Sequence, residues 1–434
     1  MTILVKTERV FPPIKPYSKF QNKPIKYLFD AMLLSWPKWE RRRRTTTNMS
    51  KSSNFESYPP LFRPPPNSPS IQESNSDETE PLLFNSDDIP VIDYFKCTTT
   101  NIITTTKYQD VDDDDKNNIC QACRDWGLFR LVNHGIQVTL LNQIEEYAKK
   151  LFSLPYETKM SLFSSGNPSN NSKGQPGICV ESGEGSNPSN NNVNPISYFW
   201  GTPALTPSGA ALLAAQNNDP QENTNNQSLQ WIEGFNVSLT QLSNVHYQDL
   251  LLETFRCLLE EYGKEQARVA TEIFKILGPF QSNYLSIDTG ILRVYRYPRC
   301  FEPERTWGID VHTDSSVLSI IHQDDVGGLQ VYKDHQWFDV NPIPNTLIVN
   351  IGDMLQAMSD DRYTSVKHRV KVNKNKERIS IGYFVFPEEG TVIRSTKYNP
   401  FSYADFRAQV QRDLKTVGLK TGLQKFKFTT HQNS

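Results

Sequence analysis

Short apolar segments separated by turn residues fill the chain beyond Pro279, and this pattern restricts the possible fold more than any other feature. The pair Gly327 and Gly328 and the stretch 333–336 supply turns between segments. Many short strands with turn signals between them are typical of a double-sheet barrel or jelly roll. We predict strands at 291–297, 317–321, 329–332, 337–340, 346–351 and 378–386.

Helical spacing of apolar residues predominates before Pro279. Leu251, Phe255, Leu258 and Tyr262 recur on one face of a helix predicted over about 247–277. We therefore expect a helical domain in front of the barrel. The other helices are predicted at 116–125 and from 139 to Pro155, and strands or strand edges at 89–93, 128–132, 198–201 and 231–235.

Polar, proline-rich composition sets the predicted domain boundaries. Residues 1–85 carry little periodic apolar content, so we predict a disordered leader there. Two inserts near 166–194 and 216–227, rich in asparagine and serine, are predicted to be surface loops. The expected organisation is the leader 1–85, an N-terminal domain 86–278, a catalytic jelly roll 279–390, and a C-terminal helix and tail 391–434.

The opening of the chain is basic and includes the arginine run 41–44, which faintly resembles an organelle transit peptide. We expect a soluble protein of the cytoplasm, with the nucleus as a further location, rather than transit into an organelle. No apolar run approaches the ~18 to 20 residues that span a bilayer. Met49 is an alternative start, which leaves open whether residues 1–48 belong to the protein.

Composition favours small-molecule chemistry. The 46 basic and 48 acidic side chains nearly balance, so we expect no nucleic-acid or membrane partner. Six scattered cysteines suit a reducing compartment. Cys120 and Cys123 form a Cys-x-x-Cys that we interpret as one turn of a helix, because no second cysteine pair completes a zinc site.

The clearest chemical motif is His312-Thr313-Asp314, followed far downstream by His368. Two imidazoles and one carboxylate can hold iron(II) and leave coordination positions open for a co-substrate and oxygen. In a strand, residues two apart share a face, so we expect His312 and Asp314 to point together into the barrel. The His-x-Asp motif with a distant histidine is weak evidence for an iron site when taken alone. Arg378-x-Ser380 strengthens it, because a guanidinium and a hydroxyl on one face can bind a carboxylate.

In their order along the chain, these motifs resemble the plant Fe(II)/2-oxoglutarate-dependent dioxygenases, over roughly 89–423. The resemblance implies an α+β fold, a double-stranded β-helix (jelly roll) core with a helical N-terminal domain and supporting helices. It implies that His312, Asp314 and His368 ligate iron and that Arg378 and Ser380 hold 2-oxoglutarate, with Tyr297 nearby. The further motifs are Tyr297-Pro298-x-Cys300, Trp126-Gly127-Leu128-Phe129 and Asn133-His134-Gly135-Ile136.

Three further segments are similar to gibberellin 2-oxidases. This resemblance implies 2β-hydroxylation of a gibberellin, which inactivates the hormone, with O2 consumed and 2-oxoglutarate decarboxylated to succinate. Ascorbate is the expected reductant, and a monomer is expected. Gibberellins are apolar diterpenoid acids, so we expect an apolar pocket with one cationic or hydrogen-bonding group. The segments are Phe199-Trp200-Gly201-Thr202-Pro203, Glu233-Gly234-Phe235-Asn236-Val237 and a tail from Phe406 to Lys420.

One position departs from the family pattern. Tyr295 stands where the family commonly has Asn near the metal-bound end of 2-oxoglutarate, and a phenol there could reshape the site. Three alternatives therefore stay open: oxidation of another gibberellin position, another plant substrate such as a flavonoid, an alkaloid or a different hormone, and a non-catalytic protein that binds a small acid.

Overall fold

Two sheets and a layer of helices make up the structure, a computed structural model that describes residues 54–63, 88–99, 114–163, 194–201, 230–300 and 303–428. Most of the predicted leader and nearly all of both polar inserts lie outside the described residues. The strands are β1 (Val91–Asp93), β2 (Leu128–Val132), β3 (Ile196–Trp200), β4 (Glu233–Ser238), β5 (Ser286–Tyr297), β6 (Trp307–His312), β7 (Leu318–Gln323), β8 (Leu329–Lys333), β9 (Gln336–Asp339), β10 (Leu347–Ile351), β11 (His368–Lys371), β12 (Arg378–Phe386), β13 (Val392–Ile393) and β14 (Phe401–Ser402).

The larger sheet has the strand order β1-β2-β10-β7-β12-β5-β4-β3, and the smaller has β6-β11-β8-β9. Only β1 and β2 pair in parallel within the described sheets; the other neighbours are antiparallel. Aromatic and aliphatic side chains from both sheets form one cluster between them. This confirms the predicted α+β jelly roll.

Helices cover the outer face of the larger sheet. The longest, α6, packs on β5, β7 and β12, and its buried residues include Phe255 and Tyr262 from the predicted apolar face. A second hydrophobic cluster fills this helix–sheet layer. The helices are α1 (Tyr94–Thr99), α2 (Asp114–Asp125), α3 (Val138–Phe152), α4 (Tyr156–Phe163), α5 (Leu239–Leu242), α6 (Leu250–Leu277), α7 (Asp353–Met358) and α8 (Tyr403–Thr416).

The six strands predicted between 291 and 386 are confirmed to within a few residues, but neither β6 nor β11 was among them. β11 has only four residues, and two of them, Arg369 and Lys371, are charged, so its apolar signal is weak. It pairs on both sides, with β6 and with β8. Hydrogen bonds to neighbouring strands, rather than apolar periodicity, define this strand.

Residues 54–63 depart from the disorder predicted for 1–85. They form two short 3-10 helices, Phe55–Ser57 and Pro60–Phe62, and Tyr58 is buried. The rings of Tyr58 and Phe62 pack against Trp200 and Trp231. The prediction of disorder was based on the average composition of 85 residues, which does not reveal a short aromatic segment that packs on the fold.

A wholly buried carboxylate ties this segment to the sheet. Glu233 accepts hydrogen bonds from Lys159 Nζ at 2.6 Å, from an Arg296 guanidinium nitrogen at 2.7 Å and from the hydroxyl of Tyr198. Lys159 also donates to the carbonyl oxygens of Ser57 and Phe152. These charges are tolerable inside the protein because each one is both paired and hydrogen-bonded.

Replacing Glu233 with Ala should therefore destabilise the protein strongly. The change leaves Lys159 and Arg296 as buried cations without their shared carboxylate, so the free energy of unfolding should fall by about 3–5 kcal/mol in urea denaturation. Glu272→Ala is the control, because its ion pair with Lys275 is exposed and should be worth about 0.5 kcal/mol or less. Equal losses in the two variants would contradict a stabilising role for the buried network.

Candidate metal centre

Strand pairing brings together two histidines that are far apart in sequence. β6 and β11 run antiparallel in the smaller sheet, and their register sets His368 directly opposite His312. Residues opposite each other project to the same side of a sheet. The two imidazole ring centroids accordingly lie 4.2 Å apart.

Asp314 completes the cluster, although not from a strand as predicted. β6 ends at His312, so Thr313 and Asp314 lie in the connection that follows, and the shared-face argument from period two is wrong for this pair. Asp314 Oδ1 still lies 3.8 Å from His312 Nε2 and 3.6 Å from His368 Nε2. In the part of the chain that the structure describes, these three residues form the one group of three or more His, Cys, Asp or Glu side chains close enough to hold a metal ion.

The hydrogen bonds of the two histidines favour metal binding through Nε2. His312 Nδ1 is 2.8 Å from the carbonyl oxygen of Asp310, and His368 Nδ1 is 3.2 Å from that of Val366. A carbonyl oxygen only accepts, so each Nδ1 carries a proton and Nε2 is the nitrogen that faces a metal ion. Burial, together with the nearby His368, lowers the pKa of His312 to about 3, so its imidazole is neutral at physiological pH.

The carboxylate of Asp314 is also held in a defined orientation. Asn350 on β10 donates to Asp314 Oδ2 at 3.4 Å, which leaves Oδ1 facing the histidines. Burial alone would raise the pKa of Asp314, but the adjacent His368 and His312 lower it below the usual value. Two neutral imidazoles and one carboxylate are the ligand set of non-haem iron(II) oxygenases, so these residues fit iron.

Lys420, beyond the C-terminal end of α8, supports the loop that carries Asp314. Its Nζ donates to the carbonyl oxygen of Thr313 at 2.8 Å and to Ser315 Oγ at 2.9 Å, and it pairs with Asp353 Oδ2 at 2.6 Å. Asp353 in turn donates its backbone N–H to the carbonyl oxygen of Asp314 at 2.8 Å. Contacts on both sides of Asp314 thus fix the backbone of the loop.

Arg378 and Ser380 lie side by side on β12, opposite Tyr297 and Tyr295 of β5. An Arg378 guanidinium nitrogen donates to Ser380 Oγ at 2.9 Å, another donates to Gln323 Oε1 at 2.9 Å, and the guanidinium lies 4.8 Å from the Tyr297 ring centroid. Gly308 makes room for that ring, since a Cβ there would lie 2.5 Å from it.

The Arg378 guanidinium is suited to an anionic ligand. It is buried, its Nε has no hydrogen-bond partner, and among the described residues no carboxylate forms an ion pair with it. A buried cation without a counter-ion is costly unless an anion binds it. The carboxylate of 2-oxoglutarate farthest from the metal fits this position, with Ser380 as the neighbouring hydroxyl. These ligand roles stay predictions.

Tyr295, the departure from the family pattern, lies on the wall of the barrel. It is buried, and its ring packs against Phe199 and Tyr297 at centroid distances of 6.2 Å. Burial raises the pKa of Tyr295, although the nearby Arg293 guanidinium opposes that shift, so the phenol stays neutral. Its side chain thus packs between aromatic rings, with the Arg293 guanidinium nearby.

The Cys-x-x-Cys motif lies on α2, as predicted, and away from the metal-ligand cluster. Cys123 is buried, and Cys120 Sγ lies 3.4 Å from the hydroxyl of Tyr363, which donates to the carbonyl oxygen of Leu277. Neither cysteine belongs to the cluster that could hold a metal. No described helix has both the length and the apolar character that crossing a bilayer requires.

Sequence reasoning missed the residues that support the ligands. Asn350 lies in a buried apolar strand, and Asp353 begins α7, so neither belongs to a recognisable motif. Lys420 belongs to the tail segment that resembles gibberellin 2-oxidases, and this resemblance was the only sequence feature that pointed to it. Their roles depend on contacts between segments that are distant in the chain.

Comparisons with known proteins agree with this geometry. A family profile described as the 2OG-Fe(II) oxygenase superfamily matches residues 288–387, and one described as the N-terminal part of a non-haem dioxygenase in morphine synthesis matches 89–196. The chain is 33% identical over 325 residues to gibberellin 2-beta-dioxygenase 8 of Arabidopsis thaliana, covering 72% of this chain and 80% of that protein. It is 31% identical to gibberellin 2-beta-dioxygenase 6 of Oryza sativa subsp. japonica, covering 71% and 78% respectively.

Solved structures share the fold. The full-length Neurospora crassa T7H in complex with alpha-KG aligns with a TM-score of 0.56 at 19% identity, over 76% of this chain and 98% of that one. At this identity the match establishes the architecture alone.

Removing a metal ligand should abolish tight iron binding. His368→Ala or Asp314→Ala should weaken iron(II) affinity by more than about 100-fold, because loss of a direct ligand exceeds the 10- to 100-fold cost of losing an outer contact. Iron content after anaerobic gel filtration measures this. His246→Ala, at an exposed position, is the control. Full iron retention in either ligand variant would disprove the assignment.

Lys420→Met should lower iron affinity by about 10- to 100-fold while the protein stays folded, because the loop that presents Asp314 loses its support. Anaerobic iron titration, at a temperature where circular dichroism shows native structure, measures the change. Lys425→Met, an exposed lysine of the same tail, should have no effect. An unchanged iron affinity in Lys420→Met would show that the tail does not position the loop.

Proposed function

Because the chain belongs to the plant dioxygenases of the 2OG-Fe(II) oxygenase superfamily, we propose that it hydroxylates a gibberellin at the 2β position and so inactivates the hormone. The enzyme class, an oxidoreductase that uses iron(II) and 2-oxoglutarate, follows from the family. The substrate is the proposal. The observation that carries it is the similarity to gibberellin 2-beta-dioxygenases over more than two thirds of this chain.

The residues at the site divide the chemical tasks between them. Iron(II), when bound with 2-oxoglutarate and O2, supplies the oxidation of a C–H bond to an alcohol as 2-oxoglutarate becomes succinate and carbon dioxide. His312, Asp314 and His368 would hold the metal, and Arg378 with Ser380 would orient the co-substrate. No acid or base is required of the protein at the reacting carbon, so regiochemistry depends on how the substrate is positioned.

The interior of the barrel supports an apolar substrate. Phe384 and Phe386 of β12 continue the face that carries Arg378 and Ser380. Ile291 and Tyr403 pack against the same cluster and are only partly buried. A surface that is mostly aliphatic and aromatic suits the rigid, apolar skeleton of a gibberellin.

The test is oxygen-dependent turnover with defined gibberellins. The purified protein, supplied with iron(II), ascorbate and 2-oxoglutarate, should release succinate when a gibberellin is present and add one oxygen atom to it, as measured by mass spectrometry. The hydroxyl should be found at the 2β position by comparison with standards. His368→Ala should give no product.

The same assay distinguishes an error in the proposed substrate from an error in the proposed position of hydroxylation. Slow succinate release that no gibberellin stimulates would reject the hormone and retain the enzyme class. A hydroxylated product with the hydroxyl at another carbon would retain the hormone and reject the 2β position.

A further inference from the structure

A second guanidinium lies on the interior face of the larger sheet. Along the β5–β12 ladder, Tyr297 is opposite Arg378, Tyr295 is opposite Ser380, and Arg293 is opposite Gly382. Cross-strand partners and residues two apart lie on one face. Arg293 is therefore on the face that carries the co-substrate residues, two register positions beyond Ser380.

The described contacts of Arg293 are with neutral groups. Its Nε donates to Asn236 Oδ1 at 3.3 Å, and its guanidinium lies 5.0 Å from the ring centroid of Phe384 and close enough to the phenol of Tyr295 to interact with it electrostatically. No acidic side chain of the described residues forms an ion pair with Arg293. Asp314 acts on it electrostatically from a distance, but that carboxylate is a predicted metal ligand.

Arg296 of the same strand provides a contrast. Arg296 is buried, and the carboxylates of Glu233 and Glu377 pair with it at 2.7 and 2.8 Å. Arg293 also lies deep in the protein but retains partial solvent access and has no such partner. The fold neutralises one guanidinium and leaves the other available, although an enclosed cation without a counter-ion is unfavourable.

The surroundings define what could bind there. The cross-strand neighbour Gly382 offers no side chain, and Phe384, Ile291 and Tyr403 form an apolar wall near the guanidinium. One unpaired guanidinium on an apolar wall matches a mostly apolar molecule that carries a single carboxylate.

We propose that Arg293 binds the carboxylate of the organic substrate and thereby selects which C–H bond faces the metal. This inference rests on the proposed function and deepens it, because it names the group that gibberellins must present. The departure from the family pattern lies next to this group, because Tyr295 and Arg293 are two residues apart on the same face of β5.

The test compares a gibberellin with its carboxyl methyl ester, titrated anaerobically by calorimetry into protein loaded with iron(II) and 2-oxoglutarate. Arg293→Met should weaken binding of the acid by about 10- to 100-fold, the value of a charge-assisted hydrogen-bonded contact, and leave ester binding nearly unchanged. Arg293→Lys, which keeps the charge, should recover part of the loss. Arg394→Met, an exposed arginine, is the matched control.

Two readouts keep a binding effect apart from a folding defect. Iron affinity and the KM for 2-oxoglutarate should change far less in Arg293→Met than the affinity for the acid, since Arg293 makes no hydrogen bond or ion pair with either predicted ligand set and acts on Asp314 only from a distance. If acid and ester lose affinity equally in Arg293→Met, or if the acid loses none, the carboxylate contact is wrong, whatever the substrate.

The proposed carboxylate contact of Arg293 can be tested even if gibberellins are not the substrate. If no gibberellin binds, the same titrations use jasmonic acid and indole-3-acetic acid, two other apolar monocarboxylic acids. Arg293-dependent binding of one of these would reject the gibberellin and support the carboxylate contact. Absence of Arg293-dependent binding for every acid would overturn the inference.

Discussion

Antiparallel pairing between strands distant in sequence is the constraint on which this site depends. The β6–β11 register sets His312 opposite His368, and the β5–β12 register aligns Arg378, Ser380 and Arg293 with the tyrosines of the facing strand. A slip of one residue would turn these side chains to the other face of their sheet. The apolar cluster between the sheets opposes such a slip, because it would bring buried aromatic side chains into solvent.

The protein places its buried charges in two distinct ways. Lys159, Glu233 and Arg296 satisfy one another, and this network joins residues 54–63 to helices and strands of the main fold. Arg378 and Arg293, by contrast, have no carboxylate partner among the described residues and face the barrel interior. A buried charge that has a partner avoids the cost of an isolated charge, whereas a buried charge without a partner can pair with an anionic ligand. This difference separates Arg296, which is paired with carboxylates, from Arg378 and Arg293, which are proposed to bind anionic ligands.

Residues outside β6 and β11 support the predicted metal ligands. Lys420 reaches from the C-terminal tail to both sides of Asp314, and Asp353 at the start of α7 joins the same contacts. Asn350 orients the free oxygen of that carboxylate. Such outer contacts orient the predicted metal ligands, and their loss typically lowers metal affinity by about 10- to 100-fold.

The sequence by itself determined the jelly roll, the long helix α6 and the identity of the candidate ligands, because apolar periodicity and short motifs are local properties of the chain. It failed where position depends on contacts between distant segments. β11 is too short and too charged to show periodicity, and Asp314 lies beyond the strand that was expected to carry it. Residues 54–63 are held by packing on Trp200 and Trp231 and by the buried Glu233 network, which are contacts with distant segments. Only the tertiary structure distinguished Arg293 from Arg296, since whether a guanidinium has a carboxylate partner depends on which strands and loops surround it.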